Sequence, residues 1–366
     1  MNVARPLAYA LEMMSLPTAP CNEGAVSAWV GRFVARRPTL QLRRDRWGNL
    51  LVRYPGRGRR RGRALVFCAH MDHPGFTALG ADAQGRLRAR WMGGVPPHLL
   101  DGRRVRFVGE RGWVKGRIVS VATLPGERAT ADVAVETNGP VPSGAVGMWD
   151  FPDARLAGAR LIARGCDDVG GAASLISFLD AALRRRMPQS FHVLFTRAEE
   201  WGFLGAVAAC RTGTLPKDAV VISIETSKEL PNARQGDGPI IRVGDRAMVF
   251  APEVAARLTD AAEGLRRRDP AFRFQRRLMD GGICEASVFA AWGYATGGLC
   301  LPLGNYHNVT PDGERIGPEY IDVRHYLGLV RFYRAVVETF RDPPPRRNAF
   351  RGMCLKLLAG RRRFLG

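Results

Sequence analysis

The chain has 366 residues, enough for one large domain or two ordinary ones, with 46% hydrophobic residues, 24% charged residues and a formal charge of +21. No apolar run approaches the length that crosses a bilayer, and the first twenty residues lack the apolar core and cleavage site of a secretory leader, so the expectation is a cytoplasmic protein with no membrane partner. Seven cysteines without a C-x-x-C pair argue against a zinc ribbon and a disulfide scaffold.

The N-terminal segment reads as the first helix of the fold. "EGAVSAWVGRFVARR" has apolar residues at helical spacing, and "NLLVRYPG" reads as a strand ending in a turn. "GRGRRRGR" then carries Arg57, Arg59, Arg60, Arg61 and Arg63 without an acid. The apolar "ALVFCA" that follows has the texture of a strand buried on both faces. From residue 77 the texture changes to short alternating strands, "GRLRARWMG", "RRVRFVG", "GWVKGRIVSVA" and "ADVAVET", as in a small antiparallel barrel or sandwich.

Helices and strands then alternate: "GGAASLISFLDAALRRR", "SFHVLFT", "LGAVAAC", "AVVISIE", "APEVAARLTDAAEGLRRR" and the terminal helix "RHYLGLVRFYRAVVETF". The pattern predicts an α/β fold with a mostly parallel central sheet covered by helices and a small inserted β-barrel-like domain. The expected division is a discontinuous α/β unit of residues 1–76 and 153–342, an insert of 77–152, and a basic, flexible tail of 343–366. Solvated arginine loops explain the charge as readily as a nucleic acid or acidic partner, which is disfavoured.

Chemistry-bearing residues fall at strand ends. His70 and Asp72 follow "ALVFCA", Glu199 and Glu200 follow "HVLFT", and Glu225 ends "VVISI". In open α/β sheets ligands bind beyond the carboxyl ends of the strands, so three strands deliver these groups to one edge. Asp72 can accept the second ring N–H of His70 and set its tautomer. Asp167 and Asp168 open a helix, where capping competes with a ligand role. A carboxylate at a buried strand end, such as Glu225, needs a partner.

Among six histidines, His192, His325 and His98 read as structural or surface residues, and His73 stands beside the site without a ligand spacing. His307 follows the strand-like "GGLCLPL". Two imidazoles with three carboxylates suit zinc, cobalt or manganese. If one carboxylate bridges two metals, the extra glutamate is free to move protons. Glu200 is then the ligand and Glu199 the base.

The ordered set "AHMD", "DD" with glycines, "AEEWGFLGA", "ISIE" and "YHN" resembles the dinuclear zinc exopeptidases. Within them the chain is similar to the glutamyl/deblocking aminopeptidases, the tetrahedral aminopeptidases and their cellulase M-type homologues, over roughly residues 5–340. The resemblance extends to "DRWGNLLV", "MGGVPPHLLDGRRVRF" and "GDGPIIRVGD". It implies that Asp167 bridges two zinc ions, that His70 and Glu225 complete one site, and that Glu200 and His307 complete the other. Glu199 would take a proton from a bridging water and pass it to the leaving amine, with Asp72 assisting.

Three positions depart from the family pattern: His73 stands where an acid is usual, Val169 where arginine is, and Glu225 where aspartate is. The resemblance implies an aminopeptidase acting on short peptides, assembled as a homo-oligomer through the insert. A deacylase or carboxypeptidase with the same metals is the alternative. A non-catalytic binding protein on this fold is the third reading.

Overall fold

The computed structural model describes residues 3–58, 62–124, 126–127, 129–340 and 349–364, so Arg59, Arg60 and Arg61 lie outside the described residues. In chain order the first elements are α1 (Arg5–Met13), α2 (Gly24–Ala35), β1 (Gln41–Arg44), β2 (Leu50–Tyr54) and β3 (Leu65–His70). Strands β4 (Gly75–Ala81), β5 (Leu87–Met92), β6 (Arg104–Gly109), β7 (Gly112–Thr123), β8 (Thr130–Thr137) and β9 (Val146–Trp149) follow. Next come β10 (Arg155–Ala157), β11 (Arg160–Ala163), α3 (Val169–Arg185), β12 (Phe191–Thr196), α4 (Leu204–Arg211), β13 (Val220–Lys228) and β14 (Ile240–Asp245). The chain continues with α5 (Pro252–Arg268), β15 (Gln275–Met279), α6 (Glu285–Ala291), β16 (Ala295–Leu303), β17 (Glu319–Asp322), α7 (Val323–Phe340) and α8 (Ala349–Arg361).

The main sheet has eight strands in the order β1-β2-β12-β3-β13-β16-β14-β15. It is mixed rather than simply parallel. β12, β3, β13 and β16 run parallel, whereas β1, β2 and the β14–β16 pairing are antiparallel. The parallel middle is where the sequence is most continuously apolar, because those strands are covered on both faces.

In β3, Phe67 and Ala69 enter a core shared with residues of α1, α2, α3, α5 and α7, while Val66 and Cys68 enter a second core with Ala206 and Ala209 of α4 and Phe289 of α6. Strand alternation sends neighbours to opposite faces, so one six-residue strand supplies both cores. Burying each large side chain favours the fold by about 1.5–3 kcal/mol relative to exposure.

β4, β5, β8, β7, β6 and β9 close into a barrel over Gly75–Trp149. Its interior is organised by Phe76, Trp91 and Trp149, whose ring centroids lie 4.7, 5.1 and 5.5 Å apart. Closure removes exposed strand edges, which a small antiparallel sheet would otherwise present. A three-stranded sheet, β10-β11-β17, sets Glu319 opposite Ala163, near the start of α3. All seven cysteines are free thiols. The C-terminal segment read as a tail is helical over Ala349–Arg361.

Candidate active site

The parallel strands β3, β12 and β13 end at one level. Thr196 stands opposite His70, and Ser223 opposite Cys68, which brings Glu225 to the height of His70. The turn after β12 folds Glu199 and Glu200 back over Asp72, whose Oδ1 and Oδ2 accept the Glu199 and Glu200 backbone N–H groups at 3.0 and 3.1 Å. Asp72 also lies against His70, with Oδ1 3.4 Å and its carbonyl oxygen 3.2 Å from Nδ1. One carboxylate thus orients the imidazole and the two-glutamate turn together.

At the start of α3, Asp167 presents one oxygen to each histidine. Oδ1 is 3.6 Å from His70 Nε2 and Oδ2 is 3.7 Å from His307 Nε2. Glu225 Oε2 lies 3.9 Å and Glu199 Oε2 3.8 Å from His70 Nε2, while Glu200 Oε2 lies 3.2 Å from His307 Nε2. The sequence-predicted residues therefore come together. Ligand atoms of His70, Glu199 and Glu225, and of His70, Asp167 and Glu200, lie within 4.8 Å of one another in their groups.

Asp167 Oδ1 and Glu200 Oε1 are buried without hydrogen-bond partners. Unpaired buried oxygens are costly, and cations would satisfy them, so the residues fit a metal. Asp168 occupies the cap position of α3 but its side chain makes no capping bond. The missing side chain of Gly171 leaves room for it, since a Cβ there would sit 2.2 Å from Asp168 Oδ1.

Further groups escaped the sequence reading. Glu319 Oε2 accepts the backbone N–H groups of Cys166 and Asp167 at 2.7 and 3.0 Å, holding the Asp167 turn in place. Glu285 is buried and accepts from Thr196 Oγ1 at 2.9 Å and from Cys68 Sγ at 3.2 Å. Tyr306 stacks on His307 with centroids 3.8 Å apart. The rule applied to Glu225, that an acid in a buried strand needs a partner, applies equally to Glu319 in "GPEYID". His73 is buried, with Nδ1 2.6 Å from the Asp167 carbonyl and Nε2 2.9 Å from Asn308 Oδ1, so it ties the Asp167 turn to the His307 turn.

The site opens into a cavity of about 430 Å³. Gly94 and Ala129 of the barrel region form part of its wall, and Lys228, Arg242 and Arg246 bring cations to it. Arg242 is buried, and its Nη1 donates to Ser227 Oγ at 3.0 Å.

Charges at the site are strongly interdependent. Burial lifts the Glu199 carboxyl well above its usual range and pushes Glu225 up to about 8. For Asp167 burial also acts upward, but His70 and His307 outweigh it and hold the carboxyl below its ordinary value. Burial opposes charge on His70, yet Glu199, Asp167 and Asp72 raise its pKa well above the ordinary value. Glu225 therefore takes up a proton on folding at intermediate pH. Its stabilising contribution is present below the ordinary value of 4.5 and is lost as pH rises through about 8. The raised His70 and Glu199 act in the same direction. The melting temperature of metal-free protein is expected to fall by several degrees between about pH 5 and about pH 8, and saturating zinc should flatten that slope. A metal-free melting temperature that rises over this interval would contradict the assignment.

The chain is similar to known proteins in sequence and in fold. The model of the M42 glutamyl aminopeptidase family matches residues 48–310. A protein of Acetivibrio thermocellus, provisionally named an aminopeptidase, is 25% identical over 282 residues, which is 73% of this chain and 82% of that one. In overall fold the chain resembles the Pyrococcus horikoshii TET1 peptidase, with a TM-score of 0.73 and 21% identity, over 91% of this chain and 99% of that chain. It resembles the aminopeptidase APDkam598 of the archaeon Desulfurococcus kamchatkensis equally, with a TM-score of 0.73 and 20% identity, over 93% and 98% of the two chains. Because the family match runs from just before β2 to just past His307, and so spans every residue gathered at the sheet edge except Glu319 behind the Asp167 turn, the chain belongs to the M42 glutamyl aminopeptidase family and is a hydrolase of the metallo-aminopeptidase kind.

Proposed function

We propose that the protein removes N-terminal residues from short peptides, with a preference for acidic N-terminal side chains. The observation that carries this reading is the placing of Asp167 between His70 and His307 in the wall of a cavity that is also lined by Lys228, Arg242 and Arg246. His70 with Glu225, and His307 with Glu200, would hold two divalent ions shared through Asp167. Zinc suits the mixed nitrogen and oxygen donors, with cobalt or manganese as substitutes. When bound, the ions supply polarisation of the scissile carbonyl and a lowered pKa for water.

The chain's own groups do the rest. Glu199 takes a proton from the attacking water and returns it to the leaving amine as the C–N bond breaks. Burial, acting first, raises its pKa above that of an exposed glutamate, which makes it a stronger proton acceptor. Asp72 holds the Glu199 backbone and the His70 ring, so the base keeps its place relative to the ligands. The catalytic unit is then 1–76 with 153–342, and the insert 77–152 contributes Gly94 and Ala129 to the substrate wall.

We assign a homo-oligomer acting in the cytoplasm. The P. horikoshii neighbour is described as assembling into a tetrahedron or a large octahedral shell, and Trp47, Val249 and Trp292 supply exposed apolar contacts here.

The cations admit a second reading. They would also suit the free terminal carboxylate of a carboxypeptidase or deacylase substrate, since guanidinium forks carboxylates whatever their source. A panel of peptides varied at the first residue, together with N-acyl amino acids, separates the two. Acidic first residues are expected to be released fastest. Arg246→Glu should lower kcat/KM for them about 10-fold to 100-fold while sparing or improving basic ones. Equal rates for acidic and basic first residues in the parent protein would sink the preference. Product release from the C-terminal side would favour the second reading.

A further inference from the structure

α8 and the residues after it stand out because nothing among the described residues covers them. From Arg351 to Phe364 every residue except Gly352 is exposed. Met353, Leu355, Leu357, Leu358 and Phe364 are exposed to 47%, 57%, 42%, 49% and 72%. An isolated helix of this length is marginal in water, and glycines 352 and 360 weaken it further. A solvent-facing stripe of large apolar side chains on such a helix therefore calls for a covering surface.

Helical spacing gathers Met353, Cys354, Leu357 and Leu358 on one side of the cylinder, with Arg361 closing that side at its C-terminal end and Leu355 on the other side. Arg351 and Lys356 flank that side, and Arg361, Arg362 and Arg363 follow at the end. No acidic residue occurs anywhere from 343 to 366.

Three kinds of surface could cover this segment. A second copy of the chain would cover the apolar side chains, but with 55 basic and 34 acidic residues it offers the arginines of this segment few counter-charges. Nucleic acid would satisfy the cations but leaves the apolar stripe without a purpose. An anionic lipid surface satisfies both halves, with arginines at the headgroups and the apolar stripe at the acyl boundary.

We propose that residues 349–364 form an interfacial helix that lays this enzyme on an anionic membrane surface. This differs from crossing a bilayer: among the described residues no helix is long and apolar enough to do so. The membrane draws the cations into its surface potential, and insertion of the stripe adds the second signal that stable anchoring requires. The site at the sheet edge takes no residue from this segment, so attachment and peptide hydrolysis are separable.

The test is sedimentation of the full chain with vesicles of phosphatidylcholine alone, and of phosphatidylcholine mixed with phosphatidylglycerol. Peptidase activity measured in solution serves as a folding control. The proposal expects co-sedimentation with the mixed vesicles only. The variant Arg361→Gln/Arg362→Gln/Arg363→Gln should bind them about 100-fold more weakly. The variant Met353→Ser/Leu357→Ser/Leu358→Ser should bind at least about 10-fold more weakly while keeping every charge. Helical circular dichroism should increase on addition of the mixed vesicles. Vesicle binding unchanged by the serine variant would overturn the proposal, since charge alone would then explain it. So would retention on single-stranded DNA without vesicle binding. Concentration-dependent self-association that the serine variant abolishes, with no vesicle binding, would overturn it in favour of a second copy.

Discussion

Glu199→Gln is expected to lower kcat about 1,000-fold while leaving zinc content unchanged. The argument rests on position. The Glu199 carboxylate lies beside His70 at 3.8 Å, while its backbone is pinned by Asp72 at 3.0 Å, so a glutamine of the same shape should occupy the same place. Its neutral amide would lack the charge and basicity needed to take the water proton. His70, Asp167, Glu200, Glu225 and His307 all remain, so metal binding should persist. Steady-state kinetics on a peptide with an acidic first residue, paired with metal analysis of the same sample, checks both halves. A variant that keeps more than about a tenth of parental turnover would remove Glu199 from the role of base. Loss of zinc would instead make it a ligand, an outcome its closeness to Glu225 and His70 makes worth measuring.

Asp167→Ala is expected to have a comparably large effect by a different route. Its two oxygens face His70 and His307 at 3.6 and 3.7 Å, so one side chain serves both halves of the site. Without it, each half keeps one imidazole and one carboxylate. Bound zinc should fall from about two ions per chain to below one, with turnover lost in parallel. His307→Ala removes a group from one half only and should leave about one ion bound. Zinc titration followed by mass spectrometry of the intact protein distinguishes these stoichiometries. If Asp167→Ala still binds about two ions, the bridging role is wrong even where activity is lost for another reason.

The two substitutions also divide the proposed reaction from its scaffold. Glu199→Gln tests proton movement with the ligand set whole, and Asp167→Ala tests the ligand set itself. Glu319, which holds the Asp167 turn through two backbone N–H groups, is absent from both experiments, so an effect of Asp167→Ala is read at the carboxylate.

What could be read from residue order alone was local in character. Continuous apolar runs identified β3, β12 and β13, because strands buried on both faces have no polar side to show. Once these were strands, the carboxyl-end rule brought His70, Glu199, Glu200 and Glu225 to one edge without knowledge of strand order. Alternating short strands announced the barrel for a similar reason, since period two is written into each strand separately.

Tertiary structure decided everything that depended on partners distant in sequence. The antiparallel placing of β14 against β16 is invisible to periodicity, because a strand's apolar pattern is the same whichever way its neighbour runs. It nevertheless carries Arg242 to the wall of the cavity. Glu319 meets the Asp167 turn across 152 residues of chain through the small sheet that pairs β11 with β17. His73, which matched no ligand spacing, became the link between the Asp167 and His307 turns only when two loops converged on its ring. Sequence thus determined which groups could do chemistry and at which end of the sheet they stood. The fold alone decided which of them face one another, because a hydrogen bond or a shared metal is set by distances in space that no local period encodes.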